Sequence, residues 1–292
     1  MKGIILAAGV GTRLYPTTIS ICKPLQSIYD KPMIYYPLSI LMQANIKDIL
    51  IITSPQDQEM FQRQLKDGRD LGISISYALQ ETPRGSAEAL LIGSEFIGND
   101  ACTIIYGDNI FYGENFDDIL KSAMKNTEQG FATNIGIYVE NPNRYGILEL
   151  DNEKKVISVE EKPEYPKSNF AITGLYFFPA GVTEKAKKVT PSKRGELEMT
   201  SVVEFYLNDG KLKAESLNQS FAWFDAGTFD SKLEAEIFIR DIQKKTNTLI
   251  GSPEKIAYEK GWIDYQTLEK LATKMSKNTY GEFLMNIEKK EN

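Results

Sequence analysis

The sequence predicts an α/β protein: a doubly wound, mostly parallel sheet with antiparallel additions and a C-terminal helical region. Three features carry this expectation. The first half alternates short, β-branched apolar runs with longer amphipathic stretches, the pattern of strands buried on both faces and joined by helices. After Gly130, strand-like segments follow one another with little helix between them. From Phe229 onward, apolar residues recur at helical spacing.

Residues 2–8 (KGIILAA), 48–53 (DILIIT), 73–79 (ISISYAL) and 101–106 (ACTIIY) read as the parallel strands, because they are short and nearly continuous in apolar character. Helical candidates around 33–45, 55–66 and 85–96 lie between them, and strand, helix, strand at this spacing makes right-handed crossovers. Segments 131–139, 145–150, 155–160 and 170–178 are expected to extend the sheet in antiparallel fashion. A helix over 196–207 and a strand over 211–217 follow, with Pro163, Pro166, Pro179 and Pro191 punctuating loops. The expected division is a core over 1–228 and a helical region over 229–292, packed on the core and serving assembly or regulation.

Composition narrows the chemistry. A chain of 292 residues with 42% hydrophobic and 25% charged residues has the make-up of a globular protein able to bury a sizeable core. Its 34 basic and 40 acidic residues leave a formal charge of −6, which argues against a nucleic-acid partner held by a basic face. The absence of histidine excludes Ser-His-Asp and Cys-His nucleophiles, HExxH zinc sites and any histidine general base. Carboxylates, lysines, arginines and backbone amides remain. Cys22 and Cys102 make neither a disulfide framework nor a zinc cluster, and no apolar run reaches the roughly 18 residues of a membrane span. No membrane partner and a cytoplasmic location are therefore expected.

Directly after the first strand comes Gly9-Val10-Gly11-Thr12-Arg13-Leu14. A glycine loop leaving a buried strand exposes N–H groups to phosphate oxygens, although two glycines alone also suit a plain tight turn. A dinucleotide fingerprint needs glycine where Leu14 stands, and Gly-Lys-Ser/Thr occurs nowhere, so neither named phosphate motif applies. Ligands of an open parallel sheet bind beyond the carboxyl ends of its strands. Residues 9–13, 80–85 and 107–109 each follow a predicted strand, so three distant polar segments are expected on one rim. Asp108 there suits a hard cation such as magnesium, or a turn, and Asp225 between Phe224 and Ala226 is a candidate second carboxylate. Glu160-Glu161-Lys162 reads either as a charged strand end or as part of a site.

The run Gly9 through Thr18 (GVGTRLYPTT), Lys23-Pro24-Leu25 and Tyr29 through Leu38 (YDKPMIYYPL) resembles the sugar-1-phosphate nucleotidylyltransferases, and most closely their thymidylyltransferase branch. The likeness continues through Gln80-Glu81-Thr82-Pro83-Arg84-Gly85, Tyr106-Gly107-Asp108-Asn109, Arg144-Tyr145-Gly146, Glu160-Glu161-Lys162-Pro163, Thr173-Gly174-Leu175-Tyr176 and Trp223-Phe224-Asp225-Ala226-Gly227-Thr228. It spans nearly the whole chain. The resemblance implies the nucleotide-diphospho-sugar transferase fold and transfer of a thymidylyl group from dTTP to glucose 1-phosphate, with Mg²⁺ as cofactor and a homotetramer as assembly. It implies that Arg13, Lys23 and Lys162 act in catalysis and that Asp108 and Asp225 hold the metal. Leu6, Gly9, Gly11, Thr12, Arg13, Lys23, Gln80, Pro83, Gly85 and Asp108 would meet the nucleotide, with Gly85 at a helix start. Asn109, Tyr145, Gly146, Glu161, Lys162, Ile172 and Arg194 would meet the sugar phosphate. The product would feed dTDP-sugar synthesis of the rhamnose type.

The chain departs from the family pattern at three places. Ala8 replaces a glycine common in relatives. Pro24 stands where many thymidylyltransferases carry glutamine, a contact that Gln26 could supply. A second nucleotide site implied near residues 251–259 has Gly251 for a common cysteine and Glu259 for a common arginine, which predicts weak or altered feedback by dTDP-rhamnose. The competing expectations are a UTP-preferring nucleotidylyltransferase and a non-catalytic relative; the joint presence of Arg13, Lys23, Asp108 and Asp225 speaks against the second.

Overall fold

The computed structural model describes residues 1–290, and its centre is a nine-stranded sheet. β1 (Lys2–Leu6) leads into short 3-10 turns and a small antiparallel pair, β2 (Ser27–Ile28) and β3 (Lys31–Pro32). Then come α1 (Tyr35–Gln43), β4 (Asp48–Thr53), α2 (Gln58–Leu65), β5 (Ser74–Leu79), α3 (Glu88–Ile92), α4 (Ser94–Ile97) and β6 (Cys102–Tyr106). The order β6-β1-β4-β5 is parallel throughout, as expected from the crossovers.

Both faces of this core are covered, which is why β1, β4 and β6 are apolar through their central positions. Ile4, Leu50, Ile52 and Ile104 pack with α3 on one side, while Ile5, Ile49, Ile51 and Ile105 pack with α1 on the other. The helix expected around 85–96 is two short helices broken at Gly93, where a Cβ would lie 2.9 Å from Ile4 Cδ1. The glycine lets the chain pass close to β1 without displacing Ile4.

The second half extends the sheet. β7 (Ile110–Tyr112) and α5 (Phe116–Glu128) precede β8 (Ala132–Tyr138), β9 (Gly146–Leu150), β10 (Val156–Glu161) and β11 (Phe170–Phe178). β11 runs antiparallel to β6, β8 and β9, so it carries the sheet from its parallel core into the antiparallel additions. After α6 (Val182–Ala186) and α7 (Met199–Asn208), β12 (Leu212–Ser216) joins β8 in parallel, unlike the other additions, and β13 (Ala222–Phe224) pairs with β7. α8 (Phe229–Thr246) starts on a capping box between Thr228 and Ser231, then come α9 (Pro253–Glu259), α10 (Tyr265–Thr273) and α11 (Thr279–Met285). Ala235 and Ile239 of α8 pack on Ile28, Met33 and Ile110, and the last three helices share an apolar cluster with α1.

Candidate active site

Two adjoining cavities open beyond the carboxyl ends of β1, β5 and β6, of about 510 Å³ and 400 Å³. The first is walled by the glycine loop. Gly11 adopts φ +66°, and its carbonyl accepts hydrogen bonds from Thr18 Oγ1 and Leu14 N, which pins the loop over the end of β1. A Cβ on Gly9 would meet nothing within 4 Å, so that side of the loop stays open. The opposite wall comes from residues 80–86. Gly85 has φ +123°, and a Cβ there would lie 2.4 Å from the Leu197 backbone, so only glycine fits against that strand of loop.

The second cavity is lined by side chains rather than backbone. Arg194 lies 2.9 Å from Glu196, 3.3 Å from Glu198 and 3.5 Å from Glu161, while Lys162 lies 3.6 Å from Glu161. Glu161 also accepts from Thr200 Oγ1 at 3.1 Å. Burial and then repulsion from Glu161 raise the Glu198 pKa above its ordinary value. Tyr145 stacks at a tilt on Trp223, 5.1 Å between rings, to form an aromatic wall of the kind that packs against a sugar face.

Lys23 stands where the cavities meet. It is only 7% exposed, and its ammonium donates to Asp108 Oδ2 at 2.5 Å and to the Asp225 carbonyl at 2.8 Å. Asp108 Oδ1 accepts from Asn109 Nδ2 at 2.8 Å, and Asn109 Oδ1 accepts from Trp223 Nε1 at 2.6 Å. Asp225 Oδ1 accepts from Gly227 N, and its Oδ2 faces Arg144 at 3.6 Å. A Cβ on Gly227 would lie 2.9 Å from the Arg13 guanidinium, so the glycine makes room for that cation. Among the described residues no group of three or more His, Cys, Asp or Glu gathers for a metal. The donor set at the junction is two carboxylates, hard oxygen ligands suited to a divalent cation that completes its shell with phosphate oxygens and water.

All ten residues expected on the nucleotide side line the first cavity, from Leu6, Gly9, Gly11, Thr12 and Arg13 through Lys23, Gln80, Pro83 and Gly85 to Asp108. Asn109, Tyr145, Gly146, Glu161, Lys162, Ile172, Arg194 and Asp225 line the second. Arg13 and Asp108 face both. Two details differ. Gln26 does not reach either cavity: the 3-10 turn Lys23–Leu25 carries it outward, where its Nε2 donates to Thr17 Oγ1 and the Ile21 carbonyl, and Pro24 itself lines the first cavity. Gly85 is not at a helix start, since α3 begins at Glu88. Sequence reasoning did not single out Ser86, Tyr106, Glu196 and Glu198, which also line the site. The alternation of charge in Arg194-Gly195-Glu196-Leu197-Glu198 was the available signal. A separate cavity of about 230 Å³ between α1 and α9 is lined by Tyr36, Gly251, Ser252, Lys255 and Glu259, with Lys255 and Glu259 paired at 2.6 Å.

A family model described as nucleotidyl transferase matches residues 2–242. The chain belongs to this nucleotidyl transferase family. It is 50% identical to the glucose-1-phosphate thymidylyltransferase of Neisseria meningitidis, over 99% of this chain and 100% of that one. The glucose-1-phosphate thymidylyltransferase of Mycolicibacterium smegmatis is 46% identical, over 98% of this chain and 99% of its own. Among solved structures, a Bacillus anthracis protein assigned as a glucose-1-phosphate thymidylyltransferase superposes with a TM-score of 0.76 at 37% identity, covering 82% of this chain and 96% of that chain. A UDP-glucose pyrophosphorylase bound to UDP-glucose superposes with a TM-score of 0.72 at 25% identity, covering 84% of this chain and 98% of its own.

Proposed function

We propose that this protein transfers a thymidylyl group from dTTP to glucose 1-phosphate, giving dTDP-glucose and pyrophosphate. The observation that carries the proposal is the buried Lys23 ammonium between Asp108 and the Asp225 carbonyl, at the junction of one cavity walled by a glycine loop and one walled by charged side chains. The triphosphate lies along the glycine loop, and the sugar phosphate lies against Lys162 and Arg194. A phosphate oxygen of glucose 1-phosphate forms a bond to the α-phosphorus while the bond to the bridging oxygen of pyrophosphate breaks. No covalent enzyme intermediate is needed, so the work is orientation and compensation of negative charge. Arg13 offers forked donors to the departing pyrophosphate, Lys23 a compact charge at the transferred phosphoryl group. Glu161 and the backbone at Gly146 take sugar hydroxyls. Gln80 and Gly85 face the base.

Asp108 and Asp225 would hold Mg²⁺, whose chemistry is to neutralise and draw together the phosphate oxygens. The apolar residues Phe229, Leu233 and Ile237, spaced along the exposed face of α8, support a homo-oligomer, which we take to be a tetramer. A cytoplasmic location fits the two unpaired cysteines, Cys22 and Cys102. Supply of dTDP-sugar synthesis of the rhamnose type follows from the product. The Lys255–Glu259 pair places an anion in the cavity between α1 and α9, which supports weak or altered feedback by dTDP-rhamnose there.

The likeness to a UDP-glucose pyrophosphorylase makes UTP the nucleotide to compete against dTTP. The test is incubation with magnesium, a panel of nucleoside triphosphates and hexose 1-phosphates, following pyrophosphate release. Turnover is expected with dTTP and glucose 1-phosphate. None with that pair removes the proposal, and faster turnover with UTP replaces it by uridylyl transfer.

A further inference from the structure

The amide of Gln80 is held in one of its two orientations by a group that no part of the mechanism uses. Gln80 is 5% exposed and lines the first cavity. Its Nε2 donates to the Gly85 carbonyl at 3.2 Å and to Glu88 Oε2 at 2.9 Å. Both partners only accept, so the NH₂ end of the amide must face them and both of its hydrogens are used. Oε1 receives no hydrogen bond from the described residues, yet it is not among the sealed polar atoms, so it opens on the cavity.

Glu88 stays an acceptor because it is clamped as an anion. Burial alone would raise its pKa, but hydrogen bonds from Arg84 and Gln80 outweigh burial and hold it below the ordinary carboxylate value. Arg84 supplies Nε at 2.8 Å and a guanidinium nitrogen at 2.5 Å to Oε1, and its backbone N–H reaches Oε2 at 3.3 Å. The backbone of this corner is fixed in turn: Leu197 N donates to the Arg84 carbonyl at 2.7 Å and Ala87 N to the Leu197 carbonyl at 2.9 Å.

We propose that Glu88 is a positioning residue that sets base selection: by locking the Gln80 amide with its oxygen toward the cavity, it admits bases carrying N–H at ring position 3 and rejects those carrying a lone pair there. This rests on the first cavity being the nucleotide side. Thymine and uracil present N3–H to such an oxygen, whereas cytosine presents an unprotonated N3, and opposed lone pairs repel. A site built around a specific polar pair rejects the analogue lacking it far more strongly than an apolar pocket rejects a size change. Glu88 never touches the base. Its influence passes entirely through which end of Gln80 faces inward.

Two variants test this. Glu88→Gln keeps the shape but can donate as well as accept, which frees the Gln80 amide to turn over. Arg84→Ala removes an exposed side chain from the clamp and leaves the buried carboxylate in place. For each, kcat/KM with dTTP and with dCTP is measured at saturating glucose 1-phosphate, alongside calorimetric binding of each nucleotide alone and a melting curve. The ratio of dTTP to dCTP is expected to fall about tenfold or more in Glu88→Gln and by a few-fold in Arg84→Ala, through KM with kcat little changed. If Glu88→Gln does not fold, the Arg84→Ala ratio decides. Parallel losses for both nucleotides, leaving the ratio unmoved, overturn the proposal and reduce Glu88 to a structural anion. So does wild-type protein that binds dTTP and dCTP alike. Wild-type protein that binds neither nucleotide overturns the nucleotide reading of the cavity itself, an outcome distinct from an unmoved ratio.

Discussion

The two sides of the cleft are made of different material. The first cavity has a glycine-rich wall: Gly9, Gly11, Gly85 and Gly107 line it, and glycine at 85 is enforced by the approach of Leu197. The second presents charged side chains, with Arg194 between three carboxylates. Backbone donors are fixed by the fold and cost nothing to orient when a ligand arrives, which suits the triphosphate common to every nucleotide. Side-chain clusters are exchangeable one residue at a time. On the proposed assignment of the cavities, the difference teaches that choice of sugar phosphate is open to substitution at Glu161, Lys162, Arg194 or Glu198, whereas the glycine loop is constrained by its backbone geometry.

The largest expected effect lies on the boundary between the two. Replacing Lys23 by methionine keeps most of the stem and removes the charge; kcat is expected to fall about 100-fold or more, with smaller changes in either KM. A loss confined to one KM would assign Lys23 to one side and break the comparison. Next is Asp225, one of the two carboxylates proposed to hold the metal. In Asp225→Asn, kcat/KM should fall by roughly 10- to 100-fold, and the magnesium concentration giving half-maximal rate should rise, while chelator should abolish wild-type turnover. Unchanged magnesium dependence would remove Asp225 from the metal.

Arg194→Ala sharpens the comparison from the sugar side. KM for glucose 1-phosphate should rise about tenfold and KM for dTTP should stay put, since a charge-assisted contact to phosphate is lost on one substrate only. Equal changes in both would merge the two cavities into one functional unit. The smallest effect concerns pH. The folded pKa of Glu198 lies above its ordinary value of 4.5, so the fold favours the protonated form. Its contribution to stability is complete below that value and is lost as pH rises through the folded pKa. Glu198→Gln does not titrate, so its melting temperature relative to wild type should climb as pH rises above about 4.5. A flat difference across that range would show that Glu198 titrates alike folded and unfolded.

The parallel core was legible because covering both faces makes the central positions of β1, β4 and β6 a continuous apolar run, and helices between parallel strands favour right-handed crossovers. The glycine loop was legible because it follows a strand end, whereas Lys23 was legible only through the family resemblance of its Lys-Pro-Leu run. α5 went unread although Phe116, Leu120, Ala123 and Thr127 mark its buried face at helical spacing, so its amphipathic pattern was a signal the sequence did carry. β7 and β13 have three residues each and form only through each other, so no local pattern announces them. The parallel pairing of β12 with β8 likewise depends on a partner some eighty residues away. Glu88 and Glu198 were hidden because a glutamate near a helix start reads as a solvated charge. Their partners are close in sequence, Arg84 and Gln80 for one and Arg194 and Ser192 for the other, but these contacts form through the turns that precede α3 and α7, which residue spacing alone does not announce.

The bond from Lys23 to the Asp225 carbonyl joins residues that leave the ribosome far apart in time. A nascent chain holding the glycine loop, β6 and even β11 still lacks Trp223, Asp225 and Gly227, the last residues to line the two cavities. A truncated product carrying the glycine loop would therefore leave the Lys23 ammonium without the carbonyl that steadies it.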